Sequence, residues 1–134
     1  MPEPIKTGGV HHVALTVSDV KRSQAFYSEL LGFKHLADFG PRALLHNGGV
    51  ILALTPPPDA GQAIAGDRFN ENRIGLDHLS LSVGSMAELE AAAAEMDARG
   101  IQHGTVNALD AFGIAVLAFR DPDNIQVELT ASLG

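Results

Sequence analysis

Val10-His11-His12-Val13-Ala14-Leu15-Thr16-Val17-Ser18 has a near twin later in the chain, Leu76-Asp77-His78-Leu79-Ser80-Leu81-Ser82-Val83-Gly84. His12 aligns with His78 at an offset of 66 residues. Apolar and small or polar residues alternate in both stretches, which is the period of a β-strand with two unlike faces. One face carries His12, Ala14 and Thr16 in the first copy and His78, Ser80 and Ser82 in the second. The other is wholly apolar, with Val13, Leu15 and Val17 matched by Leu79, Leu81 and Val83.

The repetition continues on both sides of these strands. Asp19 to Leu31 reads as a helix with Phe26, Leu30 and Leu31 on one side, stopped by Gly32. In the second copy Ser85 and Glu88 match a capping box, and Ala91 to Ala94 are strong helix formers. That helix stops at Gly100, now at an offset of 68 from Gly32. Three further short strands are predicted in each half. They are Phe33 to Asp38, Arg42 to His46 and Val50 to Thr55, then Ile101 to Val106, Ile114 to Phe119 and Ile125 to Thr130. The last hairpin turns, His46-Asn47-Gly48-Gly49 and Asp121-Pro122-Asp123-Asn124, are rich in turn formers. The expected fold is α+β, with two βαβββ modules in one domain, 1–134. Module one spans about 8–55, a linker 56–75, and module two about 76–131. The linker begins Pro56-Pro57-Pro58, has no clear period and is long enough to be functional or mobile.

Composition limits the function. The chain has 134 residues, 9 Lys+Arg against 16 Asp+Glu, and a formal net charge of -7. An acidic chain without basic clusters is unsuited to nucleic acid or an anionic membrane. No Cys is present, which excludes disulfides, thiolate nucleophiles and zinc-finger ligands. The apolar runs are too short to span a membrane, and the start lacks the basic and apolar regions of a signal peptide. A cytoplasmic location is expected on that basis.

Chemistry enters where the two copies differ. Gln126, Glu128 and Thr130 share one face of the last strand. At an offset of 75 their counterparts are Ile51, Ala53 and Thr55, so Ala53 stands where the second copy has Glu128. His12, His78 and Glu128 together make a two-His, one-carboxylate set. That donor set holds a divalent metal and leaves positions open for water or substrate. A buried Glu with no partner is costly, and a metal would satisfy Glu128 and hold both imidazoles neutral. His11 is a useful control, because it points the other way and its counterpart is Asp77 rather than His. The small side chains on this face leave room above a curved sheet, which favours a cup over a packed core. His35 and His103 also match, at an offset of 68, and either could line the cup.

Four segments resemble the vicinal oxygen chelate superfamily of glyoxalase I, extradiol dioxygenases, fosfomycin-resistance enzymes, methylmalonyl-CoA epimerase and bleomycin-resistance proteins. They are His12 to Val17, Ala25-Phe26-Tyr27 with Leu30 to Phe33, Asp77 to Leu81, and Arg120 to Asn124 before Val127-Glu128-Leu129. The resemblance implies paired βαβββ modules around a metal-centred cup, with His12, His78 and Glu128 as ligands. It implies Fe, Mn, Ni, Co or Zn as cofactor, a small-molecule substrate and a homodimer. It leaves open whether the ligands meet within one chain or across a swapped dimer. Glyoxalase I-like members carry a carboxylate at the place of Ala53, so the three-ligand pattern is closer to extradiol dioxygenases and fosfomycin enzymes. The implied activity is that of a dioxygenase, lyase or isomerase. Without a carboxylate at Ala53, the candidates for general acid or base are His103, His35, Tyr27 or metal-bound hydroxide. The alternative is a metal-free, antibiotic-sequestering binder with the same cup.

Overall fold

A computed structural model describes residues 3–134. The chain divides into two compact units, the first ending at Ile64 and the second spanning Ala65–Gly134. The first contains β1 (His12–Thr16), α1 (Val20–Leu31), β2 (Lys34–Phe39), β3 (Arg42–His46) and β4 (Ile51–Thr55). The second contains β5 (Leu79–Val83), α2 (Met86–Ala98), β6 (Asn107–Leu109), β7 (Ile114–Arg120) and β8 (Gln126–Ser132). Each unit has one open four-stranded sheet, ordered β1-β4-β3-β2 and β5-β8-β7-β6. The first and last strands of each unit pair in parallel and the remaining pairs are antiparallel. The architecture is the expected α+β pair of βαβββ modules.

Both helices begin and end where their caps dictate. Asp19 accepts a hydrogen bond from the Arg22 backbone N–H at 3.1 Å, and Ser85 accepts one from Glu88 N–H at 3.2 Å. Such caps satisfy donors that the first helical turn leaves open. At the far end of α1, Gly32 turns left-handed with φ 72°, and Phe33 N–H reaches the Tyr27 carbonyl at 3.2 Å. In the second unit Gly100 has φ 67° and Ile101 N–H reaches the Met96 carbonyl at 2.9 Å. A side chain at either glycine would be strained in that conformation.

Each sheet buries one face beneath its own helix. In the first unit Ser23 and Tyr27 lie one turn apart on α1 and are fully buried, with Leu45, Leu52 and Leu54 of the sheet. The Tyr27 ring meets Phe26 and Phe33 edge-on, at centroid distances of 5.2 and 6.2 Å. In the second unit Leu89 and Met96 of α2 are buried with Ala115, Leu117, Phe119, Val127 and Ala131. The antiparallel register places Phe119 beside Val127 and Leu117 beside Leu129, so the apolar side chains of β7 and β8 form one surface.

The strand expected over Ile101–Val106 is not continuous. Only a single bridge, His103 to Phe119, joins it to β7, and regular pairing starts again at Asn107 opposite Val116. The register slips by one residue between those two points, as in a β-bulge. A slip at the equivalent place separates His35 and Ala37 in the first unit. Both slips lie on edge strands, where they disrupt a surface that would otherwise pair with other chains.

The connection expected as a linker over 56–75 is shared between the units. Ala60–Gln62 forms a 3-10 turn capped by Asp59. The later part is fastened to the β7–β8 turn. Phe69 N–H donates to the Asp123 carbonyl at 2.9 Å, and the Asn124 side-chain amide donates to the Phe69 carbonyl at 2.9 Å. Among the described residues no helix is long and apolar enough to cross a membrane.

Candidate functional site

The less buried face of the second sheet carries the polar side chains. Parallel pairing sets Ser80 beside Glu128 and Ser82 beside Thr130, and β7 adds Ala118 on the other side of Glu128. His78 immediately precedes β5, which continues the alternation through Ser80 and Ser82. His78 Nε2 and Glu128 Oε1 are 3.6 Å apart, longer than a hydrogen bond. The Glu128 side chain is 18% exposed and that of His78 is 37% exposed, so both are within reach of a small ligand. Thr130 Oγ1 lies 3.4 Å from Glu128 Oε1 and 2.5 Å from Ser80 Oγ.

The other nitrogen of His78 is engaged. Its Nδ1 lies 2.8 Å from Asp77 Oδ1. A carboxylate oxygen only accepts, so Nδ1 carries a proton, and in the neutral ring Nε2 is then the nitrogen with the lone pair, on the side of Glu128. Gln126 Nε2 donates to the same Asp77 oxygen at 2.8 Å. Reading residues one at a time missed this chain of contacts. Its signals were the Asp-His neighbours and a Gln on the same face as Glu128.

His12 begins β1 in the first unit and is exposed, with its Nδ1 2.9 Å from that of His11. Its strand neighbours across the sheet are Ile51 and then His46. His46 closes β3 on the same face as His12, rather than standing in the turn. The row that matches Ser80–Glu128–Ala118 is Ala14–Ala53–Leu44. Within neither unit do three or more His, Cys, Asp or Glu side chains gather as a metal-binding group among the described residues.

His103 does not join this face. His103 bridges Phe119, whose side chain is on the surface buried by α2. Its ring contacts Asp97 of α2 at 2.6 Å through Nε2 and the Gly104 carbonyl at 2.5 Å through Nδ1. The hydrogen bond to Asp97, helped by the Gly104 carbonyl, raises the His103 pKa above the ordinary imidazole value. His103 therefore clasps the edge of the sheet to the helix, on the face opposite Glu128. His35, its counterpart, pairs with buried Leu45 and contacts Asp38 at 2.7 Å. Tyr27 is fully buried in the first core.

Arg120 ends β7 opposite Gln126, on the same face of the sheet as Glu128. It donates to both carboxylate oxygens of Glu71, at 3.1 and 2.5 Å, and to the Asn124 carbonyl at 3.2 Å. The paired hydrogen bonds hold the Glu71 pKa down to about 2. Arg42, the other candidate cation, bonds Thr55 Oγ1 at 3.2 Å in the first unit.

The family model described as Glyoxalase/Bleomycin resistance protein/Dioxygenase superfamily matches residues 9–129, nearly all of both units. The chain belongs to this superfamily. A Bacillus subtilis (strain 168) protein of the same length class, YwkD, is 29% identical over 127 residues, spanning 90% of this chain and 94% of that one. The crystal structure of a glyoxylase/bleomycin resistance protein/dioxygenase domain from Frankia sp. EAN1pec is 33% identical, with a TM-score of 0.77. That match covers 95% of this chain and 93% of the Frankia chain. Lactoylglutathione lyase from Agrobacterium tumefaciens superposes with a TM-score of 0.73 at 21% identity, over 93% and 94% of the two chains. At that identity the likeness is one of fold. The superfamily groups glyoxalases, bleomycin-resistance proteins and dioxygenases, so the side chains of the site, rather than the fold, select the chemistry.

Proposed function

We propose that this superfamily member is a divalent-metal-dependent enzyme that chelates neighbouring oxygens of a small-molecule substrate, with dioxygenase-type chemistry foremost. The observation that carries the reading is the approach of His78 Nε2 to Glu128 Oε1 at 3.6 Å on a face of small residues. The donor chemistry fits a metal. An imidazole nitrogen faces a carboxylate at a distance longer than a hydrogen bond, and both side chains are partly exposed. His78 and Glu128 would hold the ion, and His12 is the third ligand of the proposed set. Iron, manganese, nickel, cobalt and zinc all accept such donors. When bound, the ion supplies Lewis-acid polarisation and a template for the substrate oxygens.

The chain's own residues shape what binds. The Ser80 and Thr130 hydroxyls lie beside Glu128 and offer hydrogen bonds to a substrate oxygen. The Arg120 charge is already matched by Glu71. That pairing favours weakly charged substrates over a phosphonate, which needs free cations. In this reading the protein acts as a cytoplasmic homodimer, a state checked by sedimentation.

The test is metal content by mass spectrometry on protein purified without chelator or affinity tag, beside Glu128→Ala. About one equivalent of a transition metal in the parent and its loss in the variant are expected. Iron would direct assays to catechol ring opening, and the other metals to carbonyl isomerisation or epoxide opening. No metal in either sample after reconstitution would overturn the proposal in favour of a metal-free sequestering protein.

A further inference from the structure

We infer that Asp77 and Gln126 are positioning residues that set the tautomer and direction of the His78 ring. The inference deepens the metal reading above, but its geometry stands within the second unit alone. Asp77 Oδ1 takes the Nδ1 proton of His78 at 2.8 Å. In the neutral ring that leaves Nε2, 3.6 Å from Glu128 Oε1, as the nitrogen free to ligate. Asp77 has two further rotatable bonds and is 61% exposed at its side chain, so by itself it would be a loose anchor. Gln126 removes that freedom. Its amide Nε2 donates to the same Asp77 oxygen at 2.8 Å and lies 3.5 Å from the Asp77 carbonyl oxygen. Gln126 opens β8 two residues before Glu128, so the strand that carries the carboxylate also carries the group that aims the imidazole.

The first unit lacks this arrangement. The residue before His12 is His11, whose Nδ1 stands 2.9 Å from that of His12. The strand partner of His12 is Ile51, which has no hydrogen-bonding side chain. The two histidines matched by the internal repeat are therefore held differently, and only His78 has a carboxylate and amide behind it. A carboxylate behind a ligating imidazole fixes the ring and raises its basicity, and losing such a partner typically lowers metal affinity by roughly 10–100-fold.

The test uses the full chain in metal-free form, with nitrogen-15 labelled histidine and long-range proton–nitrogen spectra. The pH series extends into the range where imidazoles are neutral. In the parent protein, the His78 signals should report a proton on Nδ1. Asp77→Ala should give a mixture or the opposite tautomer. Asp77→Asn keeps an acceptor oxygen and should restore the parent pattern. Gln126→Ala should broaden or split the His78 signals without changing the melting temperature. An Nδ1-protonated ring in Asp77→Ala would overturn the inference. So would failure of Asp77→Asn to restore it while Asp77→Ala and Asp77→Asn melt like the parent. Titration with the metal found in the parent adds a second readout, expected to weaken about 10–100-fold in Asp77→Ala. If the tautomer responds as described but the parent takes up no metal, the positioning role stands and the metal reading fails.

Discussion

The two units are built on one frame, yet their central rows differ in kind. Across β1, β4 and β3 the row is Ala14–Ala53–Leu44, and across β5, β8 and β7 it is Ser80–Glu128–Ala118. The same parallel pairing of first and last strands produces both. One row is filled with hydrocarbon, and the other holds a part-buried carboxylate next to two hydroxyls and an imidazole. Shared backbone geometry thus explains where a site can form, while the individual side chains decide which unit carries its anionic donor.

The sharpest way to break the comparison is to make the second row resemble the first. Glu128→Ala should reduce metal affinity by more than the roughly 10–100-fold expected for an outer partner. Calorimetric titration of the reconstituted protein checks this, and an unchanged affinity would remove Glu128 from the ligand set. The reciprocal change, Ala53→Glu, places a carboxylate at a position only 6% exposed. With no partner there, it should cost about 2–3 kcal/mol of stability, read from the urea midpoint. A tolerated Glu would show that the first row also has room for a charged group.

The edge clasp provides a smaller effect. His103 has a raised pKa in the folded protein, because Asp97 and the Gly104 carbonyl accept its protons. Its contribution is complete below the ordinary imidazole value of about 6.5 and is lost as pH rises through the higher folded value. The parent should lose less than about 1 kcal/mol across that window. His103→Gln should flatten this part of the curve in thermal melts recorded against pH. An unchanged slope would mean that the clasp adds nothing to the second unit.

The smallest expected effect concerns the fastened connection. Glu71→Gln removes the ionic partner of Arg120 but leaves the Phe69 backbone contacts. Overall melting should barely move, whereas trypsin cleavage after exposed Arg68 or Arg73 should accelerate. Equal cleavage rates would show that the backbone contacts alone hold the segment.

Much of this architecture was legible because its cause is periodic. The alternation through His12–Thr16 and Leu79–Val83 survives as exposed and half-buried faces, and Asp19, Ser85, Gly32 and Gly100 bound the helices as expected. The offset between Ala53 and Glu128 reappears in the strand registers. The edge strand of the second unit was not legible. A one-residue slip near His103 changes which face later residues occupy, and no local propensity announces it. The matching offset of the histidines at 35 and 103 suggested a lining role, while their strand partners, Leu45 and Phe119, lie in the cores. The Asp77–Gln126 contact was likewise hidden, since it joins residues 49 apart in sequence.

The parallel pairing of β5 with β8 also has a consequence in time. Ser80 and Glu128 become neighbours only when the first strand of the unit meets its last, after everything between them has been made. Closing so long a loop is slow compared with forming α2 or the β7–β8 hairpin. During synthesis, the first sheet can be complete while the imidazole of His78 still awaits its carboxylate. Donor assembly is therefore a late folding event, and a nascent chain stalled before β8 would contain a formed first unit without the His78–Glu128 pair.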